Sequence, residues 1–184
     1  MADDTCVALL RGVNVSGAGK LPSALLAEIA RDRLGLSAVK TYIQSGNLVF
    51  RTSDPSGLEE RLANEIEVAC GFRPPVFLRT RSQWRTLIGQ CPFAEEAATN
   101  PKAVHVYLLD GKPAPDRLEK LTATDFAEDR WALGDAAIYL HLPNGAGRSK
   151  LALSIERMLK QPMTGRNWST ILALEVLLDE AANN

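Results

Sequence analysis

The sequence is poor in the residues that most often bind metals or form crosslinks. It has three cysteines and two histidines among 184 residues. Cys6, Cys70 and Cys91 are widely separated and include no C-x-x-C pair, so we expect no zinc site and no disulfide framework. We also expect no cofactor. Such cysteines are typical of the reducing cytosol, and the composition predicts a cytoplasmic protein with Cys6 as a small core residue.

Long apolar segments and an excess of positive charge are also missing. No apolar run reaches the ~18 residues of a membrane-spanning helix, and the acidic start from Met1 to Cys6 lacks the basic region of a signal peptide. We therefore expect no membrane partner. The formal net charge of −1 provides no overall basic field for coating nucleic acid, so any anion must be bound by a local cluster of cations.

Side chains that combine into catalytic groups are scarce as well. His105 and His141 each stand between apolar strand residues, a context typical of packed histidines. No Ser–His–Asp set and no carboxylate cluster with metal-ligand spacing can be assembled. Glu156 is either an acid/base or one half of an i,i+4 ion pair with Lys160. Whether the protein is an enzyme stays open.

Strand and helix patterns alternate regularly along the first half of the chain. A strand at Thr5 to Leu10 is followed by a helix at Leu21 to Leu34 and a hairpin around Gln44-Ser45-Gly46-Asn47. A second helix, from Leu58 to Ala69, precedes a short strand at Pro75 to Leu78. The order β-α-β-β-α-β is typical of a ferredoxin-like unit.

The second half repeats this order with changes. The pattern predicts a strand, a short helix, a hairpin around Gly134-Asp135 and a helix from Ser149 to Lys160. A closing helix from Trp168 to Asp179 stands where the last strand is expected. We predict an α+β fold of two tandem ferredoxin-like α/β plaits at 1–82 and 102–184. The second plait is modified and ends in a helix, and residues 83–101 form a linking helix and loop.

Glycine-punctuated basic turns are the most informative feature of the chain. The first runs from Arg11 to Lys20; it is not a phosphate-binding P-loop, because Asn14 replaces the first glycine and Leu21 the magnesium ligand. It is either an anion-binding loop with Arg11, Asn14 and Lys20, or a structural turn. The hairpin tip with Gln44, Ser45 and Asn47 either only turns the chain or reads the polar edge of a ligand.

Two further basic turns precede helices. In Asn144 to Lys150, Ser149 is a suitable N-cap, and Arg148 and Lys150 oppose the helix dipole, which favours a binding role over a solvated connection. In Thr164 to Trp168, Arg166 suits phosphate or carboxylate, whereas Asn167 is alternatively the N-cap of the last helix. The candidate ligand-binding residues are Arg11, Asn14, Lys20, Gln44, Ser45, Asn47, Arg148, Ser149, Lys150, Arg166 and Asn167.

The motifs resemble those of a known family. Ala8-Leu9-Leu10-Arg11-Gly12-Val13-Asn14-Val15, Tyr42 to Phe50, Gly147 to Leu151 and Thr164 to Trp168 are similar to segments of the domain-of-unknown-function family numbered 1697. That family is mostly bacterial and has no established activity, and the resemblance implies two plait-like domains. Its members often have Gly-Gly-Lys-Asn-Lys where this chain has Ser16-Gly17-Ala18-Gly19-Lys20, so one cation is missing here.

Three functional hypotheses follow from these patterns. The first is that the basic turns converge on one anionic ligand: a nucleotide, a phosphorylated metabolite or a nucleic-acid phosphate. The second is an enzyme acting on a phosphorylated or carboxylated substrate, with Glu156 or His105 transferring a proton. The third is a non-catalytic scaffold that associates with itself, for example as a homodimer.

Overall fold

Two four-stranded antiparallel sheets organise the chain in the computed structural model, which describes residues 4–15 and 19–183. Residues 1–3, most of the acidic start, and Ser16, Gly17 and Ala18 of the first basic turn lie outside the described residues. The chain divides into two units, one comprising Met1–Arg85 and Ala173–Asn184 and the other Thr86–Leu172. The coarse expectation of a mixed α+β fold is therefore correct.

The first unit has the strand order β2-β3-β1-β4, and all of its strand pairs are antiparallel. Its strands and helices are β1 (Asp4–Leu10), α1 (Ser23–Glu28, continued by a π-helical stretch at Ile29–Arg33), β2 (Ser37–Tyr42), β3 (Asn47–Thr52), α2 (Leu58–Cys70), β4 (Val76–Thr80) and α3 (Arg81–Gly89). Helix α3 extends beyond Arg85 into the second unit.

The hydrophobic core of the first unit is built around its central strand, β1. Cys6, Ala8 and Leu10 alternate along it and pack with apolar residues of α1 and α2, while Val7 and Leu9 on its other face are equally buried. A strand buried on both faces reads as a continuous apolar run. Burial also raises the pKa of the Cys6 thiol to about 12. Cys6 is therefore a small core residue, as expected, because its reactive thiolate is disfavoured.

The second unit repeats the element order, and its strand order is β6-β7-β5-β8. Its elements are α4 (Ala94–Thr99), β5 (Val104–Leu109), α5 (Pro115–Thr122), β6 (Arg130–Leu133), β7 (Ala137–His141), α6 (Lys150–Leu159), β8 (Met163–Asn167) and α7 (Trp168–Ala182). Helix α7 begins in this unit and continues into the first. Strands β5 and β8 take the places that β1 and β4 have in the first sheet. Arg166 of β8, which is paired with Val106, therefore corresponds to Arg79 of β4, which is paired with Val7.

The expectation that the second half lacks a last strand is wrong. Strand β8 pairs with β5 and directly precedes α7. Its sequence, Met-Thr-Gly-Arg-Asn, has little strand propensity because it contains glycine and polar residues. Gly165 is required by the contact with β5: an added Cβ would lie 2.7 Å from the ring of Tyr107. Pairing with a neighbouring strand overrides the local preference.

Candidate functional site

The first basic turn and the hairpin tip lie together at one end of the first sheet. The amide of Leu10 donates to the carbonyl of Gly46 (2.8 Å), and the amide of Arg11 donates to the carbonyl of Pro75 (3.0 Å). The loop after β1, the β2–β3 turn and the start of β4 are therefore neighbours. This arrangement brings together six predicted site residues: Arg11, Asn14, Lys20, Gln44, Ser45 and Asn47.

Asn14 joins the loop to the hairpin tip through its side-chain amide. Its Nδ2 donates to the carbonyls of Leu21 (2.7 Å) and Gln44 (2.8 Å), and its Oδ1 accepts from the amide of Leu21 (2.9 Å). Its own amide donates to the carbonyl of Gly19 (3.0 Å). We call Asn14 and these partners the Asn14 clasp. Because its two sets of bonds reach Gly19 and Leu21, the clasp encloses the backbone of Lys20.

The hairpin tip is held by a second buried amide. Asn47 is fully buried, and its Nδ2 donates to the carbonyl of Tyr42 (3.0 Å) and to Oγ of Ser45 (2.9 Å). These bonds close the turn, so Asn47 supports the tip from below rather than reaching solvent. Gln44 is exposed and Ser45 is half-buried. Of the three tip residues predicted to contact a ligand, Gln44 and Ser45 are thus the accessible ones.

The clasp leaves one cation open to solvent. Lys20 is exposed and forms no ion pair with another residue in the described part of the chain. Arg11, by contrast, is half-buried and already interacts with other groups of the protein. A single lysine contributes about 1 kcal/mol to an anion 4 Å away in water, so useful affinity requires additional contacts. The hydrogen bonds that already fix Asn14, Gly19 and Leu21 reduce the backbone entropy that such contacts must overcome.

Next to the clasp, two large apolar residues are exposed. Val15 follows Asn14 and is 58% exposed; Ile43 precedes Gln44 and is 54% exposed. The backbone of Ile43 is left-handed, with φ of 47°, and its carbonyl accepts from Oγ of Ser23 (3.2 Å). A β-branched residue in this region is a genuine outlier, and the strain costs about 1–3 kcal/mol. This conformation was not predicted from the residue pattern.

In the second unit, the turn before α6 is used mainly for structure. Oγ of Ser149 accepts from the amide of Ala152 (2.8 Å), which confirms the predicted N-cap. The same hydroxyl donates to Oδ2 of Asp129 (2.7 Å). Because the hydroxyl of Ser149 already donates its hydrogen to Asp129, the side chain has no hydrogen-bond donor left for an anion.

The cations of this turn share their surroundings with carboxylates. Arg148 and Lys150 line a pocket of about 450 Å³, and neither forms an ion pair with another described residue. Asp125, Glu128 and Asp129 line the same pocket. These three carboxylates repel an anionic ligand that would enter the pocket. The acidic segment was visible in the sequence, but its position beside the turn follows from the β6–β7 pairing.

Replacing Ser149 by alanine is expected to lower the free energy of unfolding by about 1 kcal/mol through loss of the cap. Ser154, one turn further along α6, donates to the carbonyl of Lys150 and does not cap the helix, so Ser154→Ala should be neutral or slightly stabilising. Urea unfolding of both variants checks the expectation. Equal effects at the two serines would contradict the assigned capping role.

Arg166 and Asn167 do not form a turn, because both belong to β8. Nη1 of Arg166 donates to Oγ1 of Thr164 (3.0 Å) and to the carbonyl of Gly165 (2.8 Å), and burial lowers the pKa of its guanidinium to about 10. Oδ1 of Asn167 accepts from the amide of Thr170 (3.0 Å). The N-cap alternative for Asn167 is therefore the one observed.

The two histidines and Tyr107 of the second unit belong to strands β5 and β7. Nδ1 of His105 is buried without a partner in the described chain, and burial lowers its pKa. Burial, and to a lesser extent the charge of Glu156, raises the pKa of Tyr107. At the end of β7, Nδ1 of His141 accepts from the guanidinium of Arg130 (3.1 Å). None of these contacts combines a nucleophile with a base.

Metal-ligand clusters and membrane-spanning helices are both absent from the part of the chain that the structure describes. Within residues 4–15 and 19–183, no group of three or more His, Cys, Asp or Glu side chains could hold a metal ion. In the same ranges, every helix is too short or too polar to cross a lipid bilayer.

The fold and site define an α+β protein with two antiparallel sheets and a hydrogen-bonded loop at the end of the first. The family described as "Protein of unknown function (DUF1697)" matches residues 4–139, and the chain belongs to this family. The match confirms the resemblance inferred from the motifs of the first half. The motifs at 147–151 and 164–168 lie beyond the matched range.

Comparison with solved structures supports the fold independently. The conserved bacterial protein SP0830 from Streptococcus pneumoniae is similar with a TM-score of 0.71 and 23% sequence identity. The similarity covers 96% of this chain and 99% of that chain. At this identity, it is informative about the fold alone. No curated protein matches the chain.

Proposed function

We propose that the protein binds a small anionic ligand at the Asn14 clasp: a nucleotide, a phosphorylated metabolite or the phosphate of a nucleic acid. The observation that carries the proposal is the enclosure of Lys20 between two hydrogen-bonded contacts of Asn14, beside the exposed tip residue Gln44. The backbone on either side of the cation is thus hydrogen-bonded next to the polar tip before a ligand arrives, which reduces the backbone entropy lost on binding.

The second-unit cations Arg148 and Lys150 stay in the proposal as a separate candidate. Their lack of ion pairs with described residues supports a binding role, and the neighbouring carboxylates weigh against it. The clasp is the stronger candidate because the side chain of Asn14 bonds to backbone groups and not to a carboxylate. The alternatives to a binding protein are an enzyme and a homodimeric scaffold. We further propose that the protein is cytoplasmic.

We also infer that residues 1–82 and 102–184 are two ferredoxin-like plaits connected by 83–101. The inference is supported by the repeated order β-α-β-β-α-β and by the matching strand orders β2-β3-β1-β4 and β6-β7-β5-β8. The clasp lies in the β1–α1 connection, and the corresponding β5–α5 connection of the second plait is the short loop that contains Lys112.

Variants of Lys20 and Lys112 test the binding proposal. Nucleotides and phosphorylated metabolites are first screened by thermal shift, since a ligand at 100 times its Kd adds roughly 2.7 kcal/mol of stability. Inorganic phosphate is then titrated calorimetrically into the wild type, Lys20→Gln and Lys112→Gln. We expect phosphate binding to weaken in Lys20→Gln and to persist in Lys112→Gln, because Lys112 is likewise exposed but lies outside the Asn14 clasp, in a loop that the side chain of Gln161 bonds to instead. Equal binding by all three proteins, or no binding by any, would refute the proposal.

A further inference from the structure

Two exposed apolar residues flank the hydrogen bond that joins the first basic turn to the hairpin tip. Val15 and Ile43 are adjacent in sequence to Asn14 and Gln44, and Nδ2 of Asn14 lies 2.8 Å from the carbonyl oxygen of Gln44. Both apolar side chains are more than half exposed. Single exposed apolar residues need no explanation, but these two flank one hydrogen bond next to an exposed cation.

Folding alone does not explain isoleucine at position 43. The left-handed backbone there favours glycine or asparagine, and the side chain is exposed rather than packed in the core. Either replacement would relieve the backbone strain and remove apolar surface from water. Strained residues that persist in this way are concentrated at ligand-binding sites. A contact between Ile43 and a ligand would account for its presence.

We infer that the ligand of the clasp is an amphipathic anion. Its charged group, a phosphate, sulfonate or carboxylate, is bound by Lys20, and its apolar or aromatic body packs on Val15 and Ile43. This inference rests on the proposed function and narrows its ligand class. A bare inorganic anion meets only the charged half of the site, so it binds more weakly than an anion with an attached apolar body.

The test uses 1-anilinonaphthalene-8-sulfonate, which combines a sulfonate with an aromatic body, and inorganic phosphate, which has the charge alone. Both probes are titrated into the wild-type chain, Ile43→Asn, Lys20→Gln and Val68→Asn. Val68 is a matched control, since it is a β-branched residue of α2 in the same unit and is 77% exposed. Thermal unfolding of each variant shows whether it is folded; Ile43→Asn should melt at or above the wild-type temperature.

We expect the aromatic sulfonate to bind about ten-fold more weakly to Ile43→Asn and to Lys20→Gln, and unchanged to Val68→Asn. Phosphate binding should weaken only in Lys20→Gln. If Lys20→Gln weakens both probes but Ile43→Asn leaves sulfonate binding intact, the amphipathic ligand is refuted and the anion site stands. If Lys20→Gln affects neither probe, the anion site itself is refuted. Equal loss in Val68→Asn would show nonspecific adsorption and overturn the inference.

Discussion

Replacing Gly46 by alanine is expected to lower the free energy of unfolding by about 2–4 kcal/mol. Gly46 has φ of +70°, and an added Cβ would lie 2.5 Å from Cγ2 of Val13 and 2.8 Å from Cβ of Leu10. Cβ of Leu10 cannot move without its backbone, which belongs to the central strand β1. The substitution therefore adds a steric conflict to the ordinary penalty of a left-handed alanine.

Gly71→Ala is the matched control for this prediction. Gly71 follows α2 with φ of +75°, and a Cβ added to this residue would have no neighbouring atom within 4 Å. Its replacement should cost about 1 kcal/mol, which is the backbone penalty alone. Urea unfolding followed by circular dichroism measures both variants. If the two glycines gave the same loss, the close approach of the hairpin tip to β1 would be wrong.

Asn14→Gly should be the next most destabilising change, by about 2–3 kcal/mol. Three side-chain hydrogen bonds are lost, to both backbone groups of Leu21 and to the carbonyl of Gln44. Glycine tolerates the left-handed backbone of Asn14, with φ of 55°, so the loss reports the amide itself rather than strain. The same variant should also bind inorganic phosphate more weakly, because the Asn14 side chain no longer links Leu21, the neighbour of Lys20, to the tip.

Lys160→Gly provides the comparison for Asn14→Gly. Lys160 is also left-handed, with φ of 51°, and is exposed at the end of α6. Its side chain makes no hydrogen bond to another described residue, so its replacement should leave the stability nearly unchanged. Equilibrium unfolding of the two variants tests the difference. A comparable loss in Lys160→Gly would mean that the side chain of Asn14 contributes little.

Local patterns were sufficient to predict the elements of the first unit and several of their ends. The apolar run of β1 and the alternating strands around Gln44 identify a sheet and a hairpin, and Ser149 is recognisable as an N-cap. Strand β8 was missed because its residues favour a strand only when paired with β5. Likewise, the division of α7 between two units depends on contacts between distant segments, which periodicity does not reveal.

The candidate site was predictable in composition but not in geometry. The residue types of the first turn indicated Arg11, Asn14 and Lys20, yet nothing in the sequence indicates that the Asn14 amide reaches Gln44, 30 positions away. The left-handed backbone of Ile43 was equally hidden, since isoleucine is among the residues least suited to it. The contact of Ser149 with Asp129 depends on the placement of a loop by neighbouring strands.

The discontinuity of the first unit has a consequence for synthesis on the ribosome. Thr86–Leu172 is one uninterrupted stretch, whereas the first unit combines Met1–Arg85 with Ala173–Asn184, which is synthesised after the second unit. The late segment supplies Asp179, which pairs with Arg81 and Arg85, and Glu180, which pairs with Lys40. During translation, the early strands and helices of the first unit therefore gain these ion pairs only after the whole of Thr86–Leu172 has been made.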